Sequence, residues 1–187
     1  MPSSGSTRSP SADRSVPLYL WVAGDDHPKA CTGRRLLRAG AALPVAPAPF
    51  RGLLLDPHSP VPLSRGDRGL ARGGIAAVDC SWNRLGERGG YPAGPFDRVA
   101  DRQRRRLPWM LAGNPQHFGR LGELNTAEAL AAALWVLGRT GQARRVLDVV
   151  GAGDSFPSLN GELLSDYSLA RGPTGIRRVE QDYFGPG

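Results

Sequence analysis

The densest set of reactive side chains is Asp79-Cys80-Ser81-Trp82, which directly follows the apolar run Ile75-Ala76-Ala77-Val78. A carboxylate, a thiol, a hydroxyl and an indole released at a strand end could take up a proton, attack as a nucleophile or wall in a ligand. The carboxyl ends of strands are where open α/β sheets place such work. Cys80 reads as a buried, inert thiol, the commoner state at an apolar strand end. His27, His58 and His117 are scattered among loops without zinc-ligand spacing, and Cys31 and Cys80 are too few for a cysteine cage or a disulfide framework. No metal is expected. A second kind of chemistry is suggested by the run Asp97 to Arg106, DRVADRQRRR, the densest charge in the chain. Guanidinium groups at that density bind phosphate.

These residues must be positioned by a chain of 187 residues with 24 Lys and Arg against 17 Asp and Glu, a formal net charge of +7. Lys29 is the only lysine, so nearly all of that positive charge is guanidinium, and acidic partners are favoured, nucleic acid first. One compact core fits this length. No apolar run reaches the roughly 18 residues that cross a bilayer. The N-terminal MPSSGSTRSPSADRSVP lacks the apolar stretch of a secretory signal, so a cytoplasmic location is expected.

Residues 1–17 mix Ser, Pro, Gly and Arg without periodicity and read as a flexible tail. PLYLWVA and RGLLLDP read as short buried strands, and Ile75 to Asp79 as a third. CTGRRLLRAG reads as a short helix from Thr32 to Gly40, and Ser64 with Asp67 as a capping box opening a basic helix. LPWMLAGNP reads as an apolar strand closed by Asn114 and Pro115. Thr126 caps AEALAAALWVLG, the strongest helix signal here, which ends at Gly138. TGQARRVLDVV and SFPSLNGELLSDY follow as helices, and residues 171–187 trail off as a basic tail. Strands alternating with helices imply a single α/β domain over residues 18–170, with a mainly parallel sheet covered by helices on both faces.

Gly151-Ala152-Gly153-Asp154-Ser155-Phe156 looks like the anion-hole motif of ribokinase-type sugar kinases, but that fold needs about twice this length and a nucleotide site upstream. A turn and cap between two helices is the plainer reading. A series of longer strings is more specific. HPKACTGRRL (27–36), LLLDP (53–57), AVDCSWNRL (77–85), RLPWMLAGNP (106–115), LNTAEALAAALWVLG (124–138) and FPSLNGELLSDY (156–167) occur in that order. Together they resemble the small-subunit ribosomal RNA aminocarboxypropyltransferase family across residues 18–168. The resemblance implies a SPOUT-like, knotted α/β fold. It also implies transfer of the 3-amino-3-carboxypropyl (acp) group of S-adenosylmethionine (SAM) to nitrogen 3 of a modified uridine or pseudouridine, in ribosome biogenesis.

Carried over by position, the resemblance sets the SAM adenine among Leu55, Pro57, Trp82, Leu107 and Leu124, with the main chain of Leu107 and Gly122 at its edge. The ribose leans on the Val78 carbonyl. The amino-acid end meets the Cys31-Thr32 turn on one side and Thr126 on the other, with Asp79 and Trp82 flanking the sulfonium. The chain departs from the family pattern at His117-Phe118, Gly113 and Gly122. Each position also has a plain reading: Thr32 and Thr126 as helix caps, Trp82 as core, Asp79 as a turn cap. Asp79 is the carboxylate placed to accept the uridine proton or to order a water that does. The rRNA partner is expected on Arg34, Arg35 and Arg38 of the first helix, Arg68 and Arg72 of the second, and Arg102, Arg104, Arg105 and Arg106 beside the SAM strand, which grip phosphate and leave base choice to RNA shape. Two other classes stay open: a non-catalytic assembly factor with the basic surface alone, and a SPOUT-like RNA methyltransferase.

Overall fold

The computed structural model describes residues 15–23, 31–44, 49–79 and 96–185. Strands β1 (Leu18–Val22), β2 (Leu43–Pro44), β3 (Leu53–Leu55), β4 (Ile75–Asp79) and β5 (Arg104–Arg105) form one parallel sheet in the order β2-β1-β4-β3-β5. β4 lies at the centre, in register with β1 from Leu18↔Ile75 to Val22↔Asp79 and with β3 at Leu53↔Ile75. Its sequence suits burial on both faces, as a central parallel strand requires.

Alternation divides the strands cleanly. Leu18, Leu20, Leu53, Leu55, Ile75 and Ala77 face the main core, while Tyr19, Trp21, Leu54, Ala76 and Val78 face a smaller cluster. The helices are α1 (Thr32–Arg38), α2 (Arg68–Ala71), α3 (Thr126–Val136), α4 (Thr140–Val149), α5 (Ser155–Leu169) and α6 (Gly172–Phe184). Every one of them adds buried side chains to the main core, from Leu36 in α1 to Ile176 in α6. Among the described residues the helices therefore gather on one face. Among the described residues the second face is closed by Phe50, Phe96 and Val99, with Phe50 edge-on to Tyr19 at 5.8 Å and to Phe96 at 5.9 Å. Aromatic rings bury about 150–250 Å² each, enough to cover strands this short.

α3 is the hub of the main core. It is buried nearly all round and packs against α1, α4, α5 and β4. Its cap is Asn125, one residue before the expected Thr126: the Asn125 side chain accepts from the Glu128 amide at 2.9 Å and the Glu128 carboxylate accepts from the Asn125 amide at 2.9 Å. Likewise Cys31, not Thr32, caps α1, its sulfur accepting from the Arg34 amide at 3.4 Å. Both threonine hydroxyls are thereby left for other partners.

Three further segments differ from the sequence reading. Val16, expected in the tail, is buried, and its backbone exchanges two hydrogen bonds with the Gln142 amide, at 2.9 and 2.7 Å. Residues 172–184, expected as a basic tail, are helix α6, opened by Pro173 and seated on Ile176. The LPWMLAGNP segment is no strand beyond isolated bridges at Arg106 and Leu111. Side chains hold it, together with backbone bonds linking residues 119–122 to Met110 and Ala112. Asn160 receives the Leu111 amide (2.8 Å) and donates to its carbonyl (2.9 Å), Glu128 receives the Gly113 amide (2.8 Å), and Tyr167 donates to the Trp109 carbonyl (2.9 Å). Burial pushes the Tyr167 phenol well above its usual range, so it remains a donor. Among the described residues, no helix is long and apolar enough to cross a membrane.

Candidate functional site

Asp79 ends β4 and is buried, and three elements meet on its carboxylate. Oδ2 accepts from the Cys31 thiol at 2.7 Å and from the Gly33 amide at 3.1 Å, and Oδ1 accepts from the Thr126 hydroxyl. The first turns of α1 and α3 are thus fastened to one strand end. Gly33 is required for this approach, since a Cβ there would fall 2.7 Å from the Asp79 Cγ. A carboxylate has about four acceptor directions. Donors among the described residues fill three, which leaves one open on Oδ1.

At the same end of the sheet Leu55 closes β3 and Leu107 follows β5 by two residues, while Leu124 stands two residues before Thr126. Leu55 and Leu124 are buried at 5% exposure each, and Leu107 is half-buried against the same core. Val78 is half-buried on the opposite face of the sheet, and Pro57 is exposed past the end of β3. Trp82, Cys80 and Ser81 lie outside the described residues. Gly122 has φ +79 and its amide is already given to the Met110 carbonyl at 2.8 Å, so only its carbonyl remains for a ligand edge. At Gly113, where the family pattern has alanine, a Cβ would stand 2.8 Å from the Phe156 backbone. Glycine is what lets α5 sit this close.

Sequence reasoning missed Glu128. It is fully buried, with Oε1 on the Gly113 amide and Oε2 on the Asn114 side chain (2.7 Å) and the Asn125 amide. It locks the 110–114 segment to the start of α3, and so fixes Leu107 and Thr126 in one frame. The pattern Asn125-x-x-Glu128, itself a capping box, was the available signal.

The structure redistributes the arginines assigned to RNA. Arg104 pairs with Asp56 at 2.9 Å and also donates to the Val99 and Phe96 carbonyls, closing the second face. Arg105 pairs with Asp67 at 3.0 Å. Arg106 makes a two-pronged pair with Glu180 of α6, at 2.6 and 2.7 Å, and that hydrogen-bonded pairing holds its guanidinium above the ordinary arginine value. These three side chains are spent inside the fold. Others close helix ends: Arg35 donates to the Val149 carbonyl at 3.1 Å and Arg68 to the Leu137 carbonyl at 2.7 Å, across Gly138. Loss of hydration against α3 draws Arg68 below its ordinary value, with Arg65 adding to the effect, although most of the side chain stays in solvent. Arg38 donates to the Arg34 carbonyl. Arg34, Arg72 and Arg102 are exposed, and among the described residues their guanidiniums meet no acceptor.

Residues 53–184 match the family described as "Ribosome biogenesis protein, C-terminal". The chain is 40% identical to the 16S rRNA aminocarboxypropyltransferase of Methanosarcina mazei, over 91% of this chain and 96% of that one. It is 37% identical to the 18S rRNA aminocarboxypropyltransferase of Schizosaccharomyces pombe, over 90% of this chain and 57% of that longer one. Among solved structures it is similar to the SAM-dependent rRNA acp-transferase of Vulcanisaeta distributa, with a TM-score of 0.73 and 30% identity, over 90% of this chain and 98% of that one. With matches of this length in sequence and in fold, the chain belongs to the ribosome biogenesis family that contains the 16S and 18S rRNA aminocarboxypropyltransferases.

Proposed function

We propose that this chain is a SAM-dependent rRNA aminocarboxypropyltransferase that modifies nitrogen 3 of a uridine or pseudouridine in small-subunit rRNA. The observation that carries the reading is the meeting of two helix starts on the Asp79 carboxylate, at the sheet end where β3 closes on Leu55. The amino-acid end of SAM is a zwitterion, and this corner offers both halves of what such a group needs. The Thr126 and Ala127 amides open the eleven-residue α3 and meet no acceptor among the described residues, so the positive end of that helix is available to a carboxylate. The Thr126 hydroxyl donates to Asp79 and keeps its own lone pairs for an ammonium N–H. Leu55, Leu107 and Leu124 suit adenine as apolar walls. The residues present therefore fit the donor.

SAM supplies an electrophilic carbon on a sulfonium, with a neutral thioether, 5′-methylthioadenosine, as leaving group. Selection among the three carbons bound to sulfur is geometric, so the work of this chain is to orient. Thr126 and the Cys31-Gly33 turn fix the acp chain because Asp79 and Glu128 fix them. The open acceptor direction on Asp79 Oδ1 is where the N3 proton, or a water that takes it, is received as the N3–C bond forms and the C–S bond breaks. Trp82 closes off the methyl. A SPOUT-like knotted chain path is part of the same reading, supported by the parallel sheet and by the likeness to the V. distributa structure. RNA phosphates meet Arg34, Arg72 and Arg102, the arginines of the expected set that the fold does not use.

Incubation with carboxyl-labelled SAM and unmodified small-subunit rRNA tests the proposal. Label entering RNA with an equal yield of 5′-methylthioadenosine supports it. S-adenosylhomocysteine as the product would make the chain a methyltransferase, and RNA binding without either product would make it an assembly factor.

A further inference from the structure

Between the cofactor walls and α3 the chain leaves the core as a short hairpin, residues 112–122, whose base is the Met110–Gly122 hydrogen bond and the Leu111↔Leu121 bridge. At its tip stands Phe118, 61% exposed, with Leu121 at 41% and the Arg120 side chain at 64% beside it. Burying an apolar ring is the ordinary outcome, so one held in water on a rigid support needs a reason. The support is rigid. The Ala112 amide donates to the Arg120 carbonyl at 2.9 Å, the Gly119 amide returns to the Ala112 carbonyl at 2.8 Å, and the His117 amide is held by the Asn114 side chain at 3.0 Å. Asn114 is in turn fastened to buried Glu128. His117 faces Glu123, which Arg120 also approaches at 3.4 Å.

The other exposed aromatic rings have company: Trp109 lies 6.2 Å from Phe184, and Tyr183 donates to Asp166. Phe118 has no ring partner among the described residues. Gly119 and Gly122 follow it at positive φ, and a Cβ on either would meet nothing within 4 Å, so the turn after the ring is uncrowded. A preordered aromatic face with an arginine fork two residues away suits an unpaired nucleobase and its phosphate. We infer that Phe118 is a stacking platform for an unpaired base of the rRNA next to the target nucleotide, with Arg120 on the adjoining phosphate. The inference rests on the proposed RNA substrate. It adds a base contact to a surface otherwise composed of phosphate contacts.

The test compares Phe118→Ala, Phe118→Leu and Phe118→Trp with Leu169→Ala, an exposed leucine at the far end of α5. Affinity for unmodified small-subunit rRNA, affinity for SAM and melting temperature are measured on each protein. Alanine is expected to weaken RNA binding roughly 5- to 50-fold, leucine nearly as much, and tryptophan to restore it within about 2-fold, with SAM affinity and melting temperature held. Leu169→Ala is expected to match wild type throughout. Unchanged RNA binding by Phe118→Ala overturns the inference, as does full retention by leucine, which would mean plain apolar contact. A fall in SAM affinity also overturns it and moves Phe118 into the cofactor wall. If wild-type protein binds this RNA but transfers nothing, the proposed function fails and the stacking result still stands or falls on its own measurements.

Discussion

Glu180→Ala tests whether the C-terminal helix is part of the working structure. The Glu180 carboxylate accepts from both Arg106 nitrogens, at 2.6 and 2.7 Å, and from the Trp109 amide at 3.2 Å. Arg106 donates onward to the Leu107 carbonyl at 3.1 Å, so the helix grips the segment that carries Leu107, a wall of the proposed cofactor site. The two side chains are 19% and 11% exposed, low enough that solvent screening removes only part of the attraction. Deleting one member of such a pair leaves a mostly buried guanidinium with its carbonyl contact alone, a cost of about 3 kcal/mol. For a protein of this size that is a fall of about 6–12 °C in melting temperature. Glu180→Gln, which keeps one acceptor oxygen, should lose about half as much.

The pH dependence has a definite sign. Because Glu180 raises Arg106 above the ordinary arginine value, the stability from this pairing is fully present below that value and is lost only as the pH rises above it. The difference between wild type and mutant should therefore stay constant from neutral pH to about pH 10. The assay is thermal melting by circular dichroism at several pH values, with SAM affinity measured at 25 °C, where several-fold weakening is expected from a looser Leu107. RNA affinity should not change. A mutant that melts within about 1 °C of wild type would refute the clamp and return residues 172–184 to the status of a tail.

Local order was largely legible in the sequence. The bounds of β4 follow from four apolar residues between Gly74 and Asp79, and the Ser64-Asp67 capping box forms as written, with the Asp67 carboxylate on the Ser64 amide at 3.0 Å. What failed were features set by distant partners. Asp56, Asp67 and Glu180 lie 48, 38 and 74 residues from the arginines they engage. A run of arginines looks the same whether it faces phosphate or three separate acids. LLLDP held a clue, because an acid inside an apolar strand end must find a cation or donors to be buried. The 107–113 segment misled for a related reason: Met110 and Ala112 enter the core, while its backbone is satisfied by side chains from three helices and by the returning residues 119–122 rather than by a strand of the sheet. α6 was hidden by its Gly-Pro opening and by having few apolar anchors, chiefly Ile176 and Val179. At the site the capping duty expected of Thr126 belongs to Asn125, one residue earlier, because either side chain reads as a cap from sequence alone.

Changing Arg34, Arg72 and Arg102 together to Gln should reduce the slope of log affinity for RNA against log salt by up to about 2 to 3, at unchanged melting temperature. Arg104→Gln should do the reverse, lowering stability by about 2 to 3 kcal/mol through Asp56 with little effect on that slope. A reversed pattern would return RNA to the Arg104–Arg106 edge. The last substitution is Asp79→Asn, where the geometry allows a clean division of binding from chemistry. With its oxygen turned toward Cys31 and Gly33, the introduced asparagine would keep both donors, and its NH₂ would donate to a Thr126 hydroxyl that has only to rotate. The frame survives, so SAM affinity should stay within about 3-fold. The free acceptor direction does not survive, because nitrogen stands where Oδ1 stood, and single-turnover transfer should slow by roughly 10²-fold or more. Transfer at the wild-type rate would make Asp79 a brace only, and equal loss of SAM affinity and rate would mean that its charge is felt directly by the cationic donor.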